Sequence, residues 1–225
     1  MRTLIEAAVE TLEGSLAAVR EGAGRLELCA DLVSGGVTPD PELLRAVRAA
    51  VVVPVAVMIR PRAGDFNYDP AERRVMLEQI QIAKAAGAES VVLGVLTAVG
   101  LVDEEWTVRL SAAARPLRVV FHRAVDATPD LEASVQVLAR LGVDRVLTSG
   151  GAPSAERGLA QLGRLVQQFG RRIGILPGGQ VRAENAGRIV QRLGVSEIHV
   201  GYPTGAEAGR IAAVRSALGD SVEKS

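Results

Sequence analysis

Lysine is nearly absent from this chain, which has two, Lys84 and Lys224, against a large complement of arginine. Neither sits at the end of a β-rich run, so a Schiff-base mechanism has no nucleophile in a suitable place. Cysteine occurs once, as Cys29, which excludes an internal disulfide and a cysteine-rich metal cage. There is no excess of either charge: Lys+Arg and Asp+Glu both total 26. The chain therefore has no basic field for a nucleic acid backbone and no polybasic patch for a membrane surface. Long apolar runs are also missing. The longest, Ala49 to Ile59, is short for a bilayer and is interrupted by Pro54. Glu6, Glu10 and Glu13 stand where a signal peptide would need an apolar core, so the expected location is cytoplasmic.

What is present is a hydrophobic fraction of 48% and a repeated cadence. "GAGRLELC", "GAESVVLG", "GVDRVLTSG" and "GVSEIHVG" each place a glycine fit to end a helix before a short β-rich run. Between them lie "LIEAAV", "PVAVMIR", "PLRVVFHR" and "RIGILPGG", which bring the strand count to eight. Helical patterns follow each strand, near 11–22, 40–50, 69–86, 103–114, 130–141, 154–169, 182–193 and 206–218. Eight strands alternating with eight helices predict a single (β/α)8 barrel over residues 1–219, with 220–225 as a flexible tail. An open doubly wound sheet is the competing architecture, disfavoured because no G-x-G-x-x-G follows the first strand.

In such a barrel the functional face lies at the C-terminal ends of the strands, and alternation along each strand assigns the inward side chains. Outward Leu26 and Leu28 turn Glu27 and Cys29 inward, and the same parity turns Met58, Arg60, His122, Glu197 and His199 inward. With Glu6 and Thr148, these place Glu6, Glu27, Arg60, His122, Thr148 and His199 near the mouth. A core ion pair between Glu27 and Arg60 is the bland alternative, because buried charges need partners. Two loops add Arg62 with Asp65 and Arg123 with Asp126, either as forks for an anion or as local pairs that stiffen the loops. Gly178 and Gly179, after the seventh strand, could cradle an anion with their N–H groups.

The combination of "RLELC", "GGVTP", "IRPRAGDF", "FHRA", "LTSGG" and "AEN" resembles the CutC family of copper homeostasis proteins, from about residue 4 to 201. The resemblance implies a cytoplasmic TIM barrel that forms a homodimer or higher homo-oligomer, and a role in copper homeostasis that includes Cu(I) binding. Cys29, with Met58 inward on the next strand, is the candidate metal ligand, since Cu(I) favours thiolate and thioether. The residues themselves leave a second reading open. Glu6, Glu27 and His122 would be catalytic groups, and Arg60, Arg62, Asp65, Arg123, Asp126, Thr148, Gly178, Gly179 and His199 would bind a small anionic, sugar-phosphate-like metabolite. That constellation suits an isomerase, epimerase or lyase. A divalent metal on Glu27, His122 and His199 is a further possibility without a spacing signature.

Overall fold

A computed structural model describes residues 2–205 and 208–219. The elements run β1 (Leu4–Val9), α1 (Leu12–Arg20), β2 (Arg25–Leu28), α2 (Pro41–Ala50), β3 (Val55–Met58), α3 (Pro70–Ala85), β4 (Ser90–Leu93) and α4 (Glu104–Ala114). They continue with β5 (Arg118–Phe121), α5 (Leu131–Arg140), β6 (Arg145–Thr148), α6 (Leu159–Phe169), β7 (Gly174–Pro177), α7 (Ala183–Leu193), β8 (Glu197–Gly201) and α8 (Arg210–Ala217). All ladders are parallel, and the sheet order is β7-β6-β5-β4-β3-β2-β1-β8. The sheet curls until β7 and β8 lie side by side, with no ladder recorded between them. The architecture is the expected eight-stranded α/β barrel, nearly closed.

Local chemistry starts most of the helices where the pattern predicts. Thr11, Asp40, Asp69, Asp103 and Asp130 each accept a backbone N–H of the first turn of α1 to α5. At α3 the cap is reciprocal: Asp69 accepts from Glu72 N at 2.8 Å and Glu72 returns to Asp69 N at 2.8 Å. The four glycines of the repeated cadence, Gly22, Gly87, Gly142 and Gly194, all have positive φ, as the joint from helix to strand requires. Helix α6 begins at Leu159, later than the predicted 154, because Ser154 and its neighbours form turns that close on Gly158. Of the helix expected over 206–218, the observed part is Arg210–Ala217. Residues 206 and 207, and the tail expected at 220–225, lie outside the described residues.

Outward side chains of the strands, among them Ile5, Leu26, Leu28, Val91 and Phe121, pack beneath the helices in one continuous core. Inward side chains form a second, smaller cluster: Cys29, Ala56, Met58, Val92, Val120, Leu147 and Leu176. Among the described residues no helix is long and apolar enough to cross a membrane.

Candidate functional site

Beneath the apolar cluster the barrel is sealed by charge. Glu6 of β1 faces Arg25 of β2 in register, and its Oε2 accepts from Arg25 Nε. Arg25 Nη2 reaches Glu197 at 2.9 Å, and Arg145 Nε meets the other oxygen of Glu197 at 2.6 Å. Gly174 leaves room for this pair, since a Cβ there would stand 2.7 Å from Arg145 Cγ. Glu6 Oε1 lies 2.8 Å from His199 Nδ1, one layer higher. Burial alone would raise Glu6, but the hydrogen bond from His199 and the charge of Arg25 outweigh it and hold the carboxyl at about 2. Burial would lower His199, yet the two carboxylates, Glu27 first, raise it.

Above this floor a cavity of about 540 Å³ opens at the C-terminal ends of the strands. Glu27, Met58, Arg60, His122 and His199 reach it, as strand parity predicts. Glu27 is buried, and while its Oε1 accepts from the Cys29 thiol at 3.3 Å, its Oε2 has no hydrogen-bond partner. Burial raises Glu27, opposed by the charge of His199 and assisted by that of Glu6. His122 is equally enclosed. Its Nδ1 accepts from Ala124 N at 3.2 Å, which leaves the proton on Nε2, and Nε2 has no partner. Burial, then the charge of Arg60, drives this imidazole down to about 3, so it is neutral. Gly94 makes the position possible, because a Cβ there would fall 2.5 Å from His122 Nδ1. Phe66 lies against the ring in a tilted arrangement, 5.1 Å between centroids.

Several predicted site residues serve other ends. Thr148 turns away from the cavity, because Leu147 takes the inward position of β6. Its hydroxyl bonds Asp126 Oδ1 at 2.5 Å instead. Arg60 and Glu27 form no ion pair. The Arg60 guanidinium donates to the carbonyls of Ser34, Gly36 and Gly64 and lies 4.9 Å from the Phe66 ring, tying two loops over the mouth. Arg62 is outside the cavity and braces its own loop through Asp65 at 3.0 Å and Glu72 at 2.5 Å. Arg123 and Asp126 also pair, at 2.9 Å, but Arg123 still lines the cavity. The Gly178 N–H is taken by Thr148 O, leaving Gly179 as the glycine of that turn which faces the cavity. Of the two aromatics in this loop, Tyr68 is buried outside the cavity and Phe66 lines it. Sequence reasoning missed Arg25 and Arg145 at the floor and Arg182 and Arg210 at the rim. The first had a readable signal, since Arg25 shares the parity of Glu27.

Two metal questions can be put to these donors. Glu6, Glu27 and His199 offer atoms within 4.8 Å of one another, and His122 is not part of that group. Both oxygens of Glu6 and Nδ1 of His199 are already engaged, whereas Glu27 Oε2, 3.9 Å from His199 Nδ1, makes no hydrogen bond. For copper the soft donors are Cys29 and Met58. A Cβ on Gly36 would touch Cys29 Sγ at 3.3 Å and Met58 Cε at 3.5 Å, so the two side chains converge. Burial, and then the nearby Glu27, push the Cys29 thiol well above its usual range, so a thiolate is not preformed.

A family model, described as CutC family, matches residues 3–204. The mouse copper homeostasis protein cutC homolog is 43% identical over 206 residues, covering 92% of this chain and 76% of the relative. The human homolog is 44% identical over 196 residues, covering 87% and 72%. The solved structure of CutC from Streptococcus agalactiae superposes with a TM-score of 0.84 at 34% identity, covering 89% of this chain and 99% of that one. With the fold, the strand-end motifs and these matches in agreement, the chain belongs to the CutC family of copper homeostasis proteins.

Proposed function

We propose that the cavity binds a small anionic metabolite and transfers a proton beside its carbonyl group, in the manner of an isomerase, epimerase or lyase. One observation carries this reading: two enclosed polar atoms, Glu27 Oε2 and His122 Nε2, belong to residues that line one cavity and have no hydrogen-bond partner among the described residues, the nearest charge to Glu27 Oε2 being His199 Nδ1 at 3.9 Å. Leaving such atoms unpaired costs about 1–3 kcal/mol each, a cost a bound ligand would remove. Glu27, made more basic by burial, would take a proton from carbon. The neutral His122 would donate from Nε2 to the carbonyl oxygen as negative charge gathers there. His199, held by Glu6, sets the field around Glu27. The cytoplasmic location and a homo-oligomeric assembly come from the family likeness.

The experiment is solvent exchange. Phosphorylated and carboxylated hydroxy-carbonyl compounds that raise the melting temperature are incubated in D2O, and loss of the C–H signal is followed by NMR. Wild type should wash out the signal, and Glu27→Gln should not. Stabilisation without washout from any compound would leave a binding protein and remove catalysis.

Cu(I) cargo is the second reading, favoured by the convergence of Cys29 and Met58 and by the copper homeostasis names of the relatives. Binding there would have to displace the thiol proton that now serves Glu27. Anaerobic Cu(I) titration of wild type and Cys29→Ser tests it, and equal affinities would remove Cys29 from copper handling.

A further inference from the structure

We propose that Arg182 and Arg210, together with the Gly179–Gln180 turn, form a phosphate subsite for the phosphoryl group of a phosphate monoester. The inference rests on the cavity being a ligand site, as proposed above, and narrows the ligand from any small anion to one class.

The two arginines come from different loops. Arg182 ends the connection from β7 to α7, and Arg210 opens α8 after β8. Both line the cavity, yet neither forms an ion pair among the described residues. Each makes one bond to a backbone carbonyl: Arg182 to Val181 O at 2.8 Å and Arg210 to Gly201 O at 3.0 Å. Several other arginines are neutralised by a carboxylate, among them Arg25, Arg73, Arg140 and Arg145. Partial burial and then the nearby charge of Arg210 lower Arg182, and the opposing charge of Glu184 does not offset them. Arg123 adds a third guanidinium beside Gly179, although Asp126 already balances it.

The turn supplies an independent observation. Gly179 has φ of 98° and Gln180 has φ of 54°, so two successive residues are left-handed. Gln180 and Asp31 are the non-glycine residues with positive φ among those described. Strain of this kind collects at ligand sites. A Cβ on Gly179 would stand 3.2 Å from Ser149 Cβ and 3.5 Å from Arg123 Cζ, so no other residue fits without displacement. The hydrogen bonds of the turn use the Gly178 N–H and the Gly179 carbonyl and leave the N–H groups of Gly179 and Gln180 without an acceptor among the described residues. Successive N–H groups in left-handed backbone make a concave anion seat.

The number and placement of donors favour phosphate over carboxylate. A carboxylate presents two oxygens in one plane and is saturated by one guanidinium fork. A phosphate monoester presents three terminal oxygens in a tetrahedral array with close to two charges, which matches two forks and a backbone seat. The cavity is of the size that small metabolites occupy. The phosphoryl group would then sit on the β7 and β8 side, while the carbon skeleton extends towards Glu27 and His122.

The test uses inorganic phosphate as probe, at constant ionic strength, read by calorimetry and by melting temperature. Wild type should bind it saturably. Arg182→Ala and Arg210→Ala should each weaken binding by about tenfold or more, from the loss of one charge-assisted contact, and the double variant should abolish it. Without phosphate each single variant should melt no lower than wild type, because the substitution relieves repulsion. Absence of saturable binding, equal binding in the double variant, or equal response to malonate would overturn the proposal. Glu27→Gln separates it from the catalytic reading. That variant should keep its phosphate affinity while losing proton exchange; in wild type, phosphate binding without proton exchange sinks the mechanism alone, and proton exchange untouched in the double variant sinks the subsite alone.

Discussion

His122 should make the protein lose stability as soon as the pH falls through the value of an unfolded imidazole. The unfolded imidazole takes a proton near 6.5, while in the folded barrel it does so only at about 3. Between those values the unfolded state holds one more proton than the folded state, so stability is complete above 6.5 and falls as pH drops towards 3. The contribution of this one ring from pH 8 to pH 5 is a loss of about 2 kcal/mol, rising to about 4 kcal/mol by pH 3. His122→Asn is the informative perturbation, because the carboxamide oxygen can accept the Ala124 N–H that Nδ1 now accepts. Urea unfolding of both proteins is measured at pH 8, 7, 6 and 5. Glu6, Glu27 and His199 titrate in both, so the difference between the two curves reports His122. His199, whose folded value is raised, contributes stability below 6.5 that is lost at higher pH, and this also cancels. The variant should lose about 2 kcal/mol less than wild type between pH 8 and pH 5. Parallel curves would refute a neutral, enclosed imidazole.

Other perturbations test the layers around it. Glu6→Gln removes the charge that Arg25 shares with Glu197 and the carboxylate hydrogen-bonded to His199, and should cost about 3 kcal/mol in urea unfolding. It should also remove acid sensitivity between 4.5 and about 2, where the depressed Glu6 loses its contribution as pH falls. Gly94→Ala pushes a methyl into the His122 ring and should cost about 1–3 kcal/mol, with a shift of the His122 ring signals in NMR. The Cys29 thiol, enclosed and held protonated, should react with a disulfide reagent at pH 8 only as fast as the barrel opens, and rapid labelling of native protein would contradict its placement.

Parity made much of the site readable. In β2 and β3 the side chains alternate cleanly enough to place Glu27, Cys29, Met58 and Arg60, and the terminal polar residues of β5 and β8 place His122 and His199. In β6 it failed, because Val146 and Leu147 are both apolar and nothing in "RVLTSG" says which faces in. Loops have no period, so Arg62 and Arg123 looked equivalent, although one braces its own loop and the other lines the cavity. Arg182 and Arg210 were invisible for the same reason: their convergence depends on how two glycine-bearing connections turn, and the strand pattern carries no information about that.

The unladdered junction of β7 and β8 has a mechanical consequence. At six places neighbouring ladders hold the wall through the backbone of sequential strands, and β1 holds β8, but at this one junction side chains must do the fastening. Arg145 and Glu197 bolt it at the floor. At the mouth the same seam carries Arg182 on one lip and Arg210 on the other, two like charges that act as a wedge. On the proposed phosphate subsite, an anion held between them would turn the wedge into a clasp and couple ligand occupancy to closure of the barrel wall. Amide exchange along β7 and β8 should therefore slow when the site fills, with little change on the opposite wall at β3 and β4.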